Sequence, residues 1–291
     1  MIPEAFEYLA PKTLPEAISY LQQYGEAAKI LSGGHSLIPM LKLRLASPAY
    51  IVDINEIQGM EYIEEGGGYL KIGALTRECA LEESKLIQSN YPIIFETAKM
   101  IADPQVRNLA TVGGNLAHGD PANDHPATML ALRAQVVATG PNGKRTIPID
   151  DFFVSLFETA LQQHEILTEI QIPIPPKGSG GAYLKLERKV GDFATAGVAA
   201  QVNLDKKGVC QGAGIGLTNA GAVPIRAKQA EDSLKGQKPS EKLIEQAAQL
   251  AQNEAEPFAD LRGPVEYKKA MFKELTKRAL RLAFDRAKGG H

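Results

Sequence analysis

Cysteine is nearly absent from this chain, and the two that occur, Cys79 and Cys210, form no C-x-x-C pair. Its own thiolates therefore cannot assemble an iron–sulfur cluster or a structural zinc site, so a redox role would have to rest on a flavin or on a partner's metal centres. Net charge is scarce too. The 32 Lys and Arg against 34 Asp and Glu leave −2, and the basic residues are interspersed with acids, which offers no footprint for nucleic acid. No apolar run approaches the length that crosses a bilayer, and no basic stretch followed by an apolar one opens the sequence, so a cytoplasmic location is the expectation. Three common motifs are missing as well: no G-x-G-x-x-G fingerprint, no G-x-x-x-x-G-K-[ST] loop and no G-x-S-x-G elbow occurs. The usual routes to nicotinamide binding, nucleoside-triphosphate binding and serine hydrolysis are thereby removed.

What is present reads as an ordinary globular chain of one or two domains, 291 residues long, with 44% hydrophobic and 23% charged positions. Residues 6–9 read as extended. Thr13-Leu14-Pro15-Glu16 is a capping box with proline in the first turn, and Ala17, Ile18, Leu21 and Tyr24 follow at helical spacing before Gly25. Strand-like segments at 29–31 and 50–54 complete a βαβ-like unit over residues 1 to about 55. Segments 60–63 and 69–72 around Glu65-Gly66-Gly67-Gly68 predict a hairpin, Thr76 a cap on a helix to about 88, and Pro92 a helix that Asp103-Pro104 ends near 102. A helix over 126–132, a strand over 135–139 and a turn at 141–144 come next. Residues 172–181, with three prolines and a glycine–serine cluster, form the clearest linker, and a domain boundary is expected there. Strands over 182–189, 194–204 and 211–217 then precede amphipathic helices over 240–255 and 264–286. The expected fold class is α+β: a two-part region over 1–176, divided near residue 55, and a smaller α+β domain over 177–291 with an antiparallel sheet and helices.

Two glycine-bearing segments carry the chemistry: Ser32-Gly33-Gly34-His35-Ser36 after the apolar run 27–31, and Thr111-Val112-Gly113-Gly114-Asn115. Paired glycines let backbone N–H groups turn outward and an anion approach without a Cβ in the way, and adjacent Ser, Thr and Asn add hydrogen bonds. Two such loops predict a pyrophosphate held from both sides. The segment His118-Gly119-Asp120-Pro121-Ala122-Asn123-Asp124-His125 concentrates imidazoles and carboxylates, but it lacks the H-E-x-x-H register and reads as a turn-rich pocket loop, not a metal site.

The first loop continues as Leu37-Ile38-Pro39-Met40-Leu41-Lys42-Leu43-Arg44-Leu45-Ala46. The second is preceded by Ile101-Ala102-Asp103-Pro104-Gln105-Val106-Arg107-Asn108 and followed by Gly119-Asp120-Pro121-Ala122-Asn123-Asp124. In this combination the chain resembles the FAD-binding medium subunit of the molybdenum hydroxylases, nearest to that of carbon monoxide dehydrogenase and related to the flavin domain of xanthine dehydrogenase. The resemblance runs from about residue 3 to 288 and implies a PCMH-type FAD-binding region.

It also implies roles. Ile30, Leu31, Ser32, Gly33, Gly34, His35, Ser36 and Leu37 would wrap one face of the pyrophosphate of a non-covalent FAD, and Thr111, Val112, Gly113, Gly114 and Asn115 would close the other. Asp124 would hold ribose or ribityl hydroxyls. Ile101 and Leu167 would pack against the flavin, and Lys185 would lie near the isoalloxazine, where its charge favours the reduced ring. Asp192 and Phe193 would lie beside that ring. Relatives usually carry tyrosine where Phe193 stands, so stacking is kept and a hydroxyl contact is lost. The implied function is electron transfer: a large partner subunit with the molybdenum cofactor, a small partner with [2Fe-2S] clusters, and an external acceptor that takes electrons from the flavin. This chain would supply no catalytic acid, base, nucleophile or metal ligand. Two other functions fit an FAD site, a self-sufficient flavin oxidoreductase and a non-redox FAD or nucleotide-binding module.

Overall fold

The computed structural model describes residues 2–289. β1 (Glu7–Leu9) leads into α1 (Leu14–Tyr24), where Thr13 Oγ1 accepts from the Glu16 N–H at 3.3 Å and the Glu16 carboxylate accepts from the Lys12 N–H at 2.8 Å. Gly25, at φ 54°, ends the helix. β2 (Ala28–Leu31), α2 (Leu37–Lys42) and β3 (Tyr50–Asp53) follow, and the strands pair in parallel in the order β1-β3-β2. The first glycine segment thus lies just past the carboxyl end of β2, where α/β units place ligands.

β4 (Ile63–Gly66) and β5 (Tyr69–Gly73) form the expected hairpin. The single helix expected after Thr76 is two, α3 (Glu78–Glu83) and α4 (Lys85–Asn90), broken at Ser84, whose extended backbone lets its hydroxyl cap α4. Thr76 is not a cap; its hydroxyl donates to Tyr62 O at 3.0 Å and accepts from the Tyr62 N–H at 3.1 Å. α5 (Pro92–Met100) ends before a turn at Ala102, φ 44°, and α6 (Pro104–Arg107) is capped by Asp103. α7 (Val112–Ala117), α8 (Asp124–Ala131), β6 (Gln135–Gly140), β7 (Gly143–Pro148), β8 (Phe153–Ser155), β9 (Glu158–Thr159) and β10 (Ile166–Pro173) complete this part.

β10 is the centre of a five-stranded antiparallel sheet, order β4-β5-β10-β6-β7. The linker expected over 172–181 is shorter, because Ile172 and Pro173 end this strand and residues 179–181 begin the next, which leaves only 174–178 between them. The period-two signal was there: Ile170 and Ile172 are buried while Glu169 and Gln171 are not. A register shift at 167–169 then leaves Leu167 and Thr168 both buried.

The remaining strands, β11 (Ser179–Leu186), β12 (Ala196–Leu204), β13 (Cys210–Thr218) and β14 (Ile225–Arg226), form an antiparallel meander backed by α9 (Lys228–Leu234), α10 (Glu241–Glu254) and α11 (Val265–Ala287). Its two faces serve different cores. Val198, Ala200, Val202 and Leu204 of β12 pack with α9, α10 and α11, whereas Tyr183 and Ala199 join the core of the preceding region. The protein is therefore α+β, with one sheet shared between two cores.

α8 lies against β13 at glycine distance. A Cβ on Gly214 would fall 1.9 Å from Ala131 O, and one on Gly216 would fall 1.9 Å from Ala127 O. Gly216→Ala is expected to cost about 3 kcal/mol in urea unfolding, the upper range for overpacking. Gly212→Ala, on the same strand but with nothing within 4 Å of its Cβ position, is expected to be neutral or slightly stabilising.

Candidate functional site

The bend after β2 is built to present backbone donors. Gly34 sits at φ 77°, a left-handed conformation that glycine adopts without strain. Among the described residues no hydrogen bond uses the backbone N–H of Gly33, Gly34, His35 or Ser36. The bend is held through other groups: His35 Nδ1–H donates to Gly33 O at 2.8 Å, Asn55 Nδ2 to Ser32 O at 2.8 Å, and the Ile54 N–H to Leu31 O at 3.0 Å. Successive unpaired amides of this kind form an anion-binding concavity.

The second glycine segment differs from expectation. It is no loop but the N-cap and first turn of α7, with Thr111 Oγ1 accepting from the Gly114 N–H at 3.1 Å. The N–H groups of Val112, Gly113 and Asn115 are taken by Thr76 O, Ala74 O and Thr111 O. These glycines serve close packing. A Cβ on Gly113 would lie 2.5 Å from the Ala74 Cβ, and one on Gly114 would lie 2.6 Å from Thr111 Oγ1 and 2.8 Å from Ser32 Oγ. Across the junction a Cβ on Gly33 would be 2.5 Å from Leu109 O, and Ser32 and Thr111 share a hydroxyl hydrogen bond at 3.1 Å.

Arg77 and Asn55 complete this junction, and neither was suspected from sequence. The Arg77 guanidinium donates to Leu109 O at 2.5 Å and to Asn55 Oδ1 at 2.8 Å, and since Asn55 holds Ser32 O, the pair links the first glycine segment to the chain entering the second. The Asx geometry of Asp53 and Asn55, with the Asn55 N–H on Asp53 Oδ1 at 2.9 Å, was the available clue.

Elsewhere in the cleft Lys185 is 1% exposed and donates to Asp124 Oδ2 at 3.0 Å and to Met100 O at 2.9 Å, with Glu187 Oε2 at 3.5 Å. Tyr183 donates to Asp124 Oδ1. Burial pushes the Asp124 carboxyl up, opposed by the Lys185 charge, and burial beside Asp124 keeps the Tyr183 hydroxyl protonated far above its ordinary range. Lys185 is thus a buried, paired lysine. The two imidazoles of the 118–125 segment diverge. His118 lines the cleft 5.2 Å from the Phe157 ring, and burial lowers its pKa, while His125 is fully buried on Glu78 at 2.7 Å.

Ser32 to Ser36, Thr111, Gly113, Gly114, Asn115, His118, Asp124 and Lys185 line one cleft of about 920 Å³, whereas Asn55, Arg77, Tyr183, Glu187 and His125 brace it from behind the lining; its volume is at the upper end for small-molecule sites. Every expected site residue lines it apart from Leu31 and Val112. Val112 is fully buried in the core, and Leu31 backs the bend with its side chain beside Gly34 and its carbonyl on the Ile54 N–H. The cleft also takes in Leu21, Gly25, Glu26, Gln162 and Gln163, which no motif marked. Asn115 adds a buried Oδ1 with no partner among the described residues. Lys42 and Arg44 lie outside the cleft, and of their neighbours Leu41 is buried while Leu43 and Leu45 are exposed.

Lys185→Met is expected to cost about 3–5 kcal/mol in urea unfolding at pH 7, since it leaves buried carboxylates without their cation. Adding Asp124→Asn should recover part of the loss. The deficit should also narrow as pH falls. With a folded pKa above its unfolded value, protonated Asp124 stabilises the fold below the unfolded pKa, and that contribution is lost as pH rises through the folded one.

Residues 4–175 match the family model described as the FAD binding domain in molybdopterin dehydrogenase, and residues 181–283 match that of the CO dehydrogenase flavoprotein C-terminal domain. The carbon monoxide dehydrogenase medium chain of Hydrogenophaga pseudoflava is 45% identical over 286 residues, 98% of this chain and 99% of that one. Its counterpart in Afipia carboxidovorans is 43% identical over 288 residues, 99% of this chain and 100% of that one. A solved carbon monoxide dehydrogenase from Hydrogenophaga pseudoflava, lacking the Mo-pyranopterin moiety of the molybdenum cofactor, superposes with a TM-score of 0.96 at 46% identity, covering 98% of this chain and 99% of that chain. Likeness of this extent sets aside the self-sufficient oxidoreductase and the non-redox module: the chain belongs to the family of FAD-binding medium subunits of molybdenum hydroxylases, oxidoreductase complexes with large and small partner subunits.

Proposed function

We propose that this subunit receives electrons from iron–sulfur clusters of the small partner on an FAD held non-covalently in the cleft and passes them to an external acceptor, after substrate oxidation at the molybdenum cofactor of the large partner. The observation that carries this reading is the row of unpaired amides at residues 33–36, facing a cleft of sufficient volume where the two glycine segments meet. Bound there, a flavin supplies reversible storage of electrons, a chemistry no side chain of this protein offers.

The residues divide the task of holding it. The amides of Gly33, Gly34, His35 and Ser36 would donate to the pyrophosphate, with Thr111 and Asn115 supplying side-chain hydrogen bonds in place of backbone ones. Asp124, with lone pairs left beyond its bonds to Tyr183 and Lys185, would accept from ribityl hydroxyls. Ile101 and Leu167, both buried, would pack on the ring, with Lys185 near its polar edge and Asp192 and Phe193 beside it. Leu21, Gly25, Gln162 and Gln163 would surround the adenine. No acid, base or nucleophile of this chain acts on the substrate in this reading. The working unit is an FAD-binding region over 1–176 with a C-terminal domain over 177–291, in a cytoplasmic complex. Among the described residues no helix is long and apolar enough to cross a membrane.

Titration of the purified chain, followed by flavin absorbance and fluorescence, should show saturable binding of FAD but not of FMN or NAD. Gly114→Asp, which drives a side chain into Thr111 and Ser32, should raise the FAD Kd on the order of 100-fold, equivalent to about 2.7 kcal/mol. FMN binding as tight as FAD, or indifference to Gly114→Asp, would count against the site. A bound flavin that dithionite-reduced small subunit fails to reduce would count against the electron path.

A further inference from the structure

Phe193 lines the cleft yet is 46% exposed, so the core does not hold it in place. Its position depends on tethers. Asp192 Oδ2 accepts from Arg188 Nε at 2.7 Å, and Asp192 Oδ1 accepts both from Arg262 Nη2 at 2.8 Å and from the Phe193 N–H at 2.8 Å. The Arg262 guanidinium carbon also stands 5.8 Å from the centroid of the Phe193 ring, within reach of a cation–π contact. A phenylalanine has no polar handle, so its ring face is the only place where a charged neighbour can hold it.

Arg262 is itself well anchored. Asp260 and Gly263 exchange backbone hydrogen bonds at 3.1 and 3.2 Å, and the Arg262 N–H donates to Asp260 Oδ1 at 2.8 Å. Lys268, buried on α11, donates to Phe258 O and to Asp260 Oδ2 at 2.9 Å each. A continuous set of contacts thus runs from α11 through this closed turn to Asp192. On the opposite side Gly191, at φ 84°, lies where a Cβ would meet Ala102 O at 3.0 Å, next to the cleft residue Ile101. The Arg188 and Arg262 guanidiniums hold the Asp192 carboxyl well below the usual carboxylate range. Arg262 does not itself line the cleft.

We propose that Arg262 is a positioning residue for the flavin ring: by binding Asp192 and lying against the Phe193 ring, it holds that phenylalanine over the open side of the isoalloxazine. The inference rests on the reading of the cleft as an FAD site. It gives the turn between α10 and α11, remote in sequence from every cofactor segment, a specific task in controlling access to the flavin.

The test uses the full chain loaded with FAD and follows quenching of flavin fluorescence by acrylamide, a neutral quencher whose access does not depend on local charge. Arg262→Leu should raise the quenching constant by about threefold, the change a cation–π contact of ordinary strength permits. Phe193→Leu should do the same, and the double variant should be no more accessible than Phe193→Leu alone. Asp192→Asn, which keeps an acceptor for the Phe193 N–H but loses the ion pair, should also raise quenching and serves if Arg262→Leu fails to fold. Wild-type quenching in a folded Arg262 or Asp192 variant, or additive effects of Arg262→Leu and Phe193→Leu, would overturn the proposal. A folded wild-type chain with no saturable FAD binding would instead overturn the reading of the cleft, and this inference with it.

Discussion

Contact between backbones without intervening side chains is the constraint on which this structure depends. Gly33 lies against residues 109–111, Gly113 against Ala74, and Gly114 against Thr111 and Ser32, each so near that one added carbon would collide. The parallel three-stranded sheet and the five-stranded antiparallel sheet can therefore meet closely enough for Ser32 and Thr111 to share a hydrogen bond and for Arg77 to bridge Leu109 O and the Asn55 side chain that holds Ser32 O. Each of these bonds contributes only about 0.5–1.5 kcal/mol net. Close approach makes them all possible at once, while the amides of residues 33–36 keep no acceptor among the described residues.

A second close approach places the charged part of the site. Gly214 and Gly216 let α8 settle on β13, which brings Asp124, the first residue of α8, to Lys185 and Tyr183 on β11. One ammonium then stands between the carboxylates of Asp124 and Glu187 in a buried setting. The four-stranded sheet is consequently more than a neighbour of the cofactor region. It supplies one wall of the cleft, and the turn that precedes α11 reaches the same wall through Asp192.

Much of this was legible in the residues. Punctuation by Gly25, Pro92 and Asp103-Pro104 marked element ends correctly to within two residues, because capping and proline geometry are local. The glycine segments and their flanks pointed to the family, and the site residues expected from it line the cleft except for Leu31 and Val112. Harder to see was β10, whose alternation of Ile170 and Ile172 with Glu169 and Gln171 ran straight into the prolines after it. The break at Ser84 was also hidden, since a serine that caps one helix looks like any polar residue within a longer one.

The sequence by itself determined where the backbone must be bare, where helices start and stop, and which family the chain resembles, since each depends on residues adjacent along the chain. Tertiary structure alone decided what those bare positions face. It showed that the amides of one glycine segment are free while those of the other are consumed, that Lys185 is paired with Asp124, that Arg77 is bonded to Asn55, and that Arg262 is bonded to Asp192. These outcomes depend on which acceptor or charge arrives from a distant strand or turn, and local pattern carries no information about such partners.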